Sequence, residues 1–391
     1  MKYRRFGKTE LQIPVVSCGG MRYQESWKDV EEVSDESQRN VEACVRRALE
    51  LGINHIETAR GYGCSEYQLG RILPELPRDE MIIQTKVGPQ DDVAAFEAAF
   101  ERSMSLLRLD HVDLFAFHGI NGPVELERTL KCYDKAQEWK RSGRIRHIGF
   151  STHGGCDDIA KAIETDLFEY VNLHYYWIFQ ENWPAVQAAV ARDMGVFIIS
   201  PNEKGGMLFR PTEKLVQCCE PLHPLVFNGL FCLSHPEVHT LSCGVAKPEE
   251  FDPQVEMANM LKTPEETAAL IAPIEARLTE AMEASLGVDW VRTWRDGLPE
   301  WQDTPGNVNI PIITRLRNLA VAFDMVEYGK MRYNLLGNGG SWFPGNQAVD
   351  LETLDLAACL KGSPNAERIP AVLAEAHTLL KGEEKKRLQE N

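Results

Sequence analysis

Short runs of aliphatic and β-branched residues alternate with longer amphipathic segments from about residue 14 to residue 260. This alternation is typical of parallel α/β proteins, in which a helix connects each buried strand to the next. The runs predict eight strands, at residues 15–18, 55–59, 81–87, 112–118, 145–152, 170–176, 196–200 and 239–245. Eight is the strand number of the (β/α)8 barrel, so a TIM barrel is the predicted fold class.

A doubly wound open sheet would produce the same alternation, but it favours a Gly-x-Gly-x-x-Gly turn after the first strand. The chain has Ser17-Cys18-Gly19-Gly20-Met21 at this place, and the barrel is therefore preferred. The clearest helix is predicted at residues 34–51, where Ser34 can cap the start and Gly52 follows the end. Further helices between the strands are predicted at residues 65–73, 91–107, 123–141, 156–163 and 182–193.

The alternation stops after residue 262, and helical patterns follow at residues 264–284, 312–333 and 369–389. Pro273 is expected to kink or divide the first of these helices, because proline lacks the backbone N–H. A chain of 391 residues also exceeds the usual size of one domain. We therefore predict a barrel over residues 1–262 and a mainly helical C-terminal region over residues 263–391.

Charge and composition exclude several classes of protein. The net charge of −16 produces a field that repels phosphate backbones, which argues against a nucleic-acid partner. No apolar run approaches the ~20 residues of a membrane span, and the basic N-terminus is not followed by an apolar signal region, so we expect a cytoplasmic protein without a membrane partner. The ten cysteines include no CxxC pair, which favours reduced thiols over a metal site.

Titratable residues stand at the ends of three successive predicted strands. Glu57 lies in the second strand and Tyr62 shortly after it, Lys86 lies near the end of the third, and His118 ends the fourth. Because the carboxyl ends of barrel strands form the catalytic face, these groups are expected to meet there as a proton-transfer site. The ammonium group beside the phenol should lower the pKa of the tyrosine from ~10. Nucleophilic catalysis fits less well, since no Ser or Cys has an evident base beside it.

The run Glu57-Thr58-Ala59-Arg60-Gly61-Tyr62, followed by Lys86 and His118, resembles the catalytic tetrad of the aldo-keto reductases. The family pattern is Asp-Thr-Ala-x-x-Tyr, so Glu57 stands where Asp is usual. The opening Tyr3 to Thr9 resembles the hairpin that closes the barrel bottom in many members. The resemblance implies hydride transfer between a nicotinamide cofactor and a small-molecule carbonyl, with Tyr62 as the general acid. It assigns neither a particular substrate nor an oligomeric state.

The same resemblance implies a set of cofactor-binding residues. They are Ser151, Thr152 and Asn172 at the nicotinamide carboxamide, Ser200, Pro201, Asn202, Gly205 and Gly206 around the pyrophosphate, and Lys247 and Glu250 at the adenosine ribose. Family habit favours NADP. Glu250, however, stands where NADP-dependent members tend to place Arg, and a carboxylate suits the free ribose hydroxyl of NAD, so NAD is the alternative.

The C-terminal region resembles that of a subgroup of aldo-keto reductases with a ferredoxin-like module, in which cysteines precede proline. Here Thr304 precedes Pro305 and Ser363 precedes Pro364, and Cys359 is the one thiol nearby. Iron–sulfur clusters need about four thiolates. The resemblance therefore implies a degenerate module, and no iron–sulfur cluster is expected.

Two other functions compete with carbonyl reduction. A nicotinamide-binding regulatory or scaffold protein would tolerate both the exchange at Glu57 and the missing thiolates. An electron-transfer reductase would require an iron–sulfur cluster. The aromatic run at residues 174–179 either lines a substrate pocket or packs under a loop.

Overall fold

The predicted barrel is present and closed. The computed structural model describes residues 1–202, 204–338 and 344–383. A hairpin of β1 (Tyr3–Arg5) and β2 (Gln12–Pro14) precedes eight parallel strands that pair in the order β10-β3-β4-β5-β6-β7-β8-β9. The barrel strands are β3 (Val16–Gly19), β4 (His55–Glu57), β5 (Ile82–Val87), β6 (Val112–His118), β7 (Ile145–Ser151), β8 (Tyr170–Leu173), β9 (Gly195–Ile198) and β10 (Thr240–Gly244). Each corresponds to one predicted strand.

Helices lie between the barrel strands and after the last of them. They are α1 (Asp35–Glu50), α2 (Ser65–Gly70), α3 (Val93–Leu107), α4 (Pro123–Arg141), α5 (Cys156–Glu164), α6 (Trp183–Val190), α7 (Glu213–Cys219), α8 (Pro224–Ser234) and α9 (Asp252–Met260). Ser34 caps α1 as expected, because its hydroxyl accepts a hydrogen bond from Ser37 N at 3.2 Å. Helices α7, α8 and α9 were not predicted from the sequence.

The hairpin closes the amino-terminal end of the barrel with the ring of Phe6. This ring lies 5.5 Å from that of Tyr170, and both are fully buried. Tyr170 and Gly195 are the first residues of β8 and β9. A Cβ atom on Gly195 would stand 2.5 Å from the Phe6 ring, so the absence of a side chain there makes room for it.

A chain of buried polar side chains crosses the barrel interior. Ser17 Oγ lies 2.6 Å from His55 Nδ1 and 2.8 Å from Thr240 Oγ1, and His55 Nε2 lies 3.0 Å from Gln84 Oε1. Burial lowers the pKa of His55 to about 3, because the charged imidazolium cannot be solvated there. His55 is therefore a neutral member of the core.

The chain divides into two compact units, residues 1–209 with 225–270 and residues 210–224 with 271–391. The remaining helices are α10 (Pro264–Leu286), α11 (Val288–Thr293), α12 (Ile310–Phe323), α13 (Val326–Tyr333) and α14 (Ile369–Leu380). The domain boundary predicted at residue 262 stays a prediction. Within the described ranges, no helix has the length and apolar composition that crossing a membrane requires.

The helical predictions for the C-terminal region need three corrections. Helix α10 runs past Pro273 and is not divided there, while the alternative that Pro273 kinks it stays a prediction. The helix predicted at residues 312–333 is two helices, because Asp324 adopts a left-handed conformation with φ of 56°. Helix α14 ends at Leu380, and the predicted continuation from residue 384 to 389 lies outside the described residues.

Candidate active site

Three neighbouring strands bring the predicted tetrad together. Glu57 ends β4, Lys86 lies in β5, His118 ends β6, and Tyr62 lies in the loop between β4 and α2. The Tyr62 hydroxyl stands 3.4 Å from Lys86 Nζ and 3.5 Å from Glu57 Oε1. The His118 ring meets the edge of the Tyr62 ring, with 5.7 Å between the centroids.

Glu57 forms the ion pair that the usual aspartate would make. Lys86 Nζ donates hydrogen bonds to Glu57 Oε1 and, at 2.8 Å, to Thr58 O. Ser242 on β10 donates to the other carboxylate oxygen of Glu57 at 3.2 Å. The longer glutamate side chain therefore still reaches the lysine. Ser242 was missed because its contact with Glu57 spans 185 residues, and no local sequence pattern marks such a contact.

The expected direction of the Tyr62 pKa is wrong. Tyr62 is partly exposed, but its hydroxyl lies beside the buried side chains of Lys86 and Glu57, and burial raises its pKa. The carboxylate neutralises the ammonium, so little net positive charge remains to stabilise a phenolate. Burial also lowers the pKa of Lys86, an effect that the adjacent carboxylate opposes. Tyr62 is thus a protonated donor at neutral pH.

The predicted carboxamide site contains an amide without a partner. Ser151 pairs in register with His118 on one side and Asn172 on the other, and Thr152 N donates to Asn172 O at 2.9 Å. The side chain of Asn172 is fully buried, and among the described residues neither its oxygen nor its nitrogen has a hydrogen-bond partner. A buried amide without partners is costly, so a ligand with one donor and one acceptor is its natural complement. A nicotinamide carboxamide has both groups.

The loop after β9 begins with a constrained turn. Ser200 adopts a left-handed conformation with φ of 57°, which L-residues with side chains rarely occupy. Gly205 and Gly206 lie farther along, in the short 3-10 helix Lys204–Phe209.

Two side chains from unpredicted helices hold this loop. Asn228 of α8 donates to Pro201 O at 2.7 Å, and Gln254 of α9 donates to Asn202 Oδ1 at 2.9 Å. The buried nitrogen Nδ2 of Asn202 has no partner among the described residues. The loop therefore presents a second polar group that a ligand can satisfy.

Glu250 at the predicted ribose site is already paired. Its Oε2 atom accepts hydrogen bonds from Arg22 Nη1 at 2.6 Å and from Ala246 N at 2.9 Å, whereas Lys247 is exposed. The Arg22 guanidinium also stacks 4.9 Å above the ring of Phe209. Arg22 reaches this place from the loop after β3, and its contact with Glu250 spans 228 residues. No local sequence signal could have indicated it.

The aromatic run after β8 is divided between burial and polar contacts. Tyr175 and Tyr176 are buried, which agrees with the packing alternative. The Tyr176 hydroxyl donates to Ile199 O at 2.5 Å and contacts His174, whose Nε2 atom lies 2.6 Å from His153 Nδ1. These contacts tie the ends of β7, β8 and β9 together.

Comparison with known proteins agrees with the family resemblance and the fold. Residues 15–206 match the model of the aldo/keto reductase family. The chain is 31% identical over 170 residues to L-glyceraldehyde 3-phosphate reductase of Escherichia coli K12, covering 39% of this chain and 46% of that protein. It is 28% identical over 180 residues to L-galactose dehydrogenase of Arabidopsis thaliana, covering 44% and 51%. The chain thus spans about half the length of the curated relatives it matches.

Solved structures of low sequence identity share the fold. An aldo-keto reductase from Bacillus halodurans matches with a TM-score of 0.58 and 21% identity, over 71% of this chain and 96% of that one. An aldo-keto reductase from Klebsiella pneumoniae in complex with NADPH matches with a TM-score of 0.56 and 20% identity, over 70% and 95%. Residues 15–206, which hold all four tetrad positions, therefore resemble the aldo/keto reductase family in sequence, and the barrel resembles its members in fold.

Proposed function

We propose that this chain reduces an aldehyde or ketone with a reduced nicotinamide cofactor. The observation that carries the proposal is the Tyr62 hydroxyl, which lies 3.4 Å from Lys86 Nζ and 3.5 Å from Glu57 beside the His118 ring. A phenol so placed at the mouth of a barrel can give a proton to a carbonyl oxygen.

The four side chains have separate roles in this proposal. The reduced nicotinamide, when bound, supplies a hydride to the carbonyl carbon. Tyr62 donates a proton to the carbonyl oxygen, which completes the alcohol, and His118 orients that oxygen by a hydrogen bond. Lys86 donates a hydrogen bond to the Tyr62 oxygen, and Glu57 holds Lys86 in place for that contact.

The cofactor proposal is supported by the unpaired amide of Asn172, which suits a carboxamide. NADP is our first choice, because the Klebsiella pneumoniae relative was solved with NADPH and Lys247 can meet a 2′-phosphate. NAD is the alternative, since Glu250 can accept a hydrogen bond from the free ribose hydroxyl.

The test compares the wild type with Tyr62→Phe over a panel of aldehydes, ketones and quinones, following NADPH absorbance. Loss of the general acid should lower kcat by about a hundredfold or more. The Kd for NADPH, measured by fluorescence titration, should stay within about twofold, because this proposal assigns the hydroxyl to the carbonyl and not to the cofactor. Undiminished turnover in the variant would refute the role of Tyr62, and the absence of any fluorescence change in the wild type would refute the cofactor.

A second candidate function is a nicotinamide-binding regulatory or scaffold protein. The raised pKa of Tyr62 favours it, because a weaker acid transfers its proton more slowly. Binding of NADPH without oxidation by any member of the panel would support this function over catalysis.

We further propose that the C-terminal region is a ferredoxin-like module that holds no iron–sulfur cluster. Thr304 Oγ1 lies 2.8 Å from Trp301 O, and Ser363 Oγ accepts from Asn365 N at 3.2 Å, so both hydroxyls take part in local turns. Analysis of anaerobically purified protein for iron and acid-labile sulfide tests this. Stoichiometric iron and sulfide would instead favour an electron-transfer reductase.

A further inference from the structure

We propose that Arg60 is a positioning residue that ties the first loop to the tyrosine loop, so that residues remote from the chemistry set the rate of turnover. The first loop is residues 20–34, between β3 and α1, and the tyrosine loop is residues 58–64, between β4 and α2. The effect on turnover rests on the proposed function. The contact between the two loops is independent of the proposed function.

Arg60 is held in place by contacts with the barrel strand β5 and with helix α2, which we call its inner contacts. Its backbone N–H donates to Lys86 O at 2.8 Å, and its guanidinium forms an ion pair with Glu66. Thr85 Oγ1 donates to the same carboxylate at 2.6 Å. Thr85 precedes Lys86 in β5, so Arg60 and Glu66 connect the tyrosine loop to the strand that carries the tetrad lysine.

Glu66 makes this connection hard to break. Its side chain is fully buried, and burial raises its pKa although Arg60 opposes the shift. Removing one member of a buried pair leaves an uncompensated charge in the protein, which is strongly destabilising. Arg60 therefore keeps its inner contacts while its outer side faces the first loop.

The outer partner of Arg60 is Asp29 in the first loop. Arg60 Nη2 lies 2.8 Å from Asp29 Oδ1, and 47% of the Asp29 side chain is exposed. Arg102 on α3 also approaches Asp29, at 3.5 Å, but its shorter ion pair is with Glu31, at 2.7 Å. Asp29 is thus an accessible position from which the pair with Arg60 can be altered without disturbing the core.

A second contact joins the two loops on the other side of Tyr62. Cys64 N donates to Ser26 O at 2.9 Å, and Ser26 N donates to Cys64 Sγ at 3.2 Å. A Cβ atom on Gly63 would lie 1.9 Å from Ser26 O, so the two backbones touch at a place where only glycine fits. Tyr62 is therefore flanked by two attachments to the first loop.

The two attachments imply that a shift of the first loop moves the Tyr62 hydroxyl. A displacement of about 1 Å in a reacting group can cost a hundredfold in rate, so even a small shift should lower kcat. Substrate and cofactor binding should change less, because Arg60 and Asp29 are assigned to neither.

The experiment uses the full chain with Asp29→Asn and Arg60→Lys, and Glu31→Gln as a matched control. Lysine at position 60 keeps a positive charge for Glu66 but lacks the second guanidinium nitrogen, Nη2, that contacts Asp29. Both variants should lower kcat by about tenfold at saturating aldehyde, with the aldehyde KM and the Kd for NADPH within about twofold. Hydrogen exchange at Cys64 N–H should accelerate in both variants. Glu31→Gln should change neither, because its partner is Arg102.

Unchanged exchange at Cys64 in both variants would overturn the tie, whatever happens to kcat. Faster exchange with unchanged kcat would overturn the influence on turnover, as would a lower melting temperature that leaves kcat intact. A wild type that binds no nucleotide and reduces no carbonyl would refute the proposed function, and the exchange measurement would still decide the tie.

Discussion

Glu57 and Lys86 form an ion pair that is almost withdrawn from solvent, with 3% and 1% of their side chains exposed. Glu57→Gln would leave an unpaired ammonium group in the barrel, which should lower the free energy of unfolding by about 3–5 kcal/mol and also reduce kcat. Glu57→Asp restores the usual residue and should retain most of both. Urea unfolding and steady-state kinetics measure the two quantities. A glutamine variant as stable as the wild type would contradict the pairing.

The raised pKa of Tyr62 predicts the alkaline limit of the reaction. Tyr62 can donate a proton only while it is protonated, and burial places its pKa above the ordinary value of about 10. Its protonation therefore limits kcat for reduction only above about pH 10. A kcat profile over pH 7–10 checks this, with stability monitored at each pH. A fall centred near pH 8, absent from the nucleotide affinity, would contradict it.

The Arg22–Glu250 pair predicts how cofactor preference can be changed. Glu250→Gln releases the Arg22 guanidinium from its 2.6 Å contact and removes a negative charge. One charged hydrogen bond is worth about 1.5–3 kcal/mol, so the affinity for NADPH should rise about tenfold or more while that for NADH changes little. Fluorescence titrations give both values of Kd. The gain should vanish in Arg22→Met/Glu250→Gln, and a gain that persists there would exclude Arg22 as its source.

The neutral His55 predicts a loss of stability in acid. Its pKa of about 3 lies below the ordinary value of about 6.5, so between these pH values the unfolded chain binds a proton that the folded chain does not. The free energy of unfolding should therefore fall as pH drops through this window, by up to about 5 kcal/mol from this group. His55→Gln should flatten the slope. Urea unfolding at pH 4–7 compares the two slopes, and equal slopes would contradict the assignment.

All eight barrel strands could be predicted because each is a short apolar run followed by a turn or helix signal. The errors fall where the decisive contact is not local. Nothing in the sequence around Asp324 marks a break, since neither Gly nor Pro stands there, yet the aspartate adopts the left-handed conformation that divides α12 from α13. At Pro273 the opposite error occurs: the local sequence strongly predicts a break in the helix, but α10 continues through this residue.

The tetrad could be predicted for a similar reason, since its members stand at the ends of successive strands. What the sequence could not supply is the surroundings that set their charges. Ser242 and Arg22 come from distant segments, and burial raises the pKa of Tyr62 where the sequence alone predicted that it would be lowered. The sequence pattern thus indicates where the four side chains lie, whereas their protonation states depend on the residues packed around them.

The packing of Phe6 against Gly195 predicts how these two positions vary among related proteins. The two positions are 189 residues apart, and the ring of one occupies the volume that a side chain on the other would need. Neither can be exchanged alone for a larger residue, so the pair should vary together among relatives, with a smaller residue at position 6 wherever position 195 carries a side chain. Such covariation would allow the contact that closes the amino-terminal end of the barrel to be predicted from aligned sequences alone.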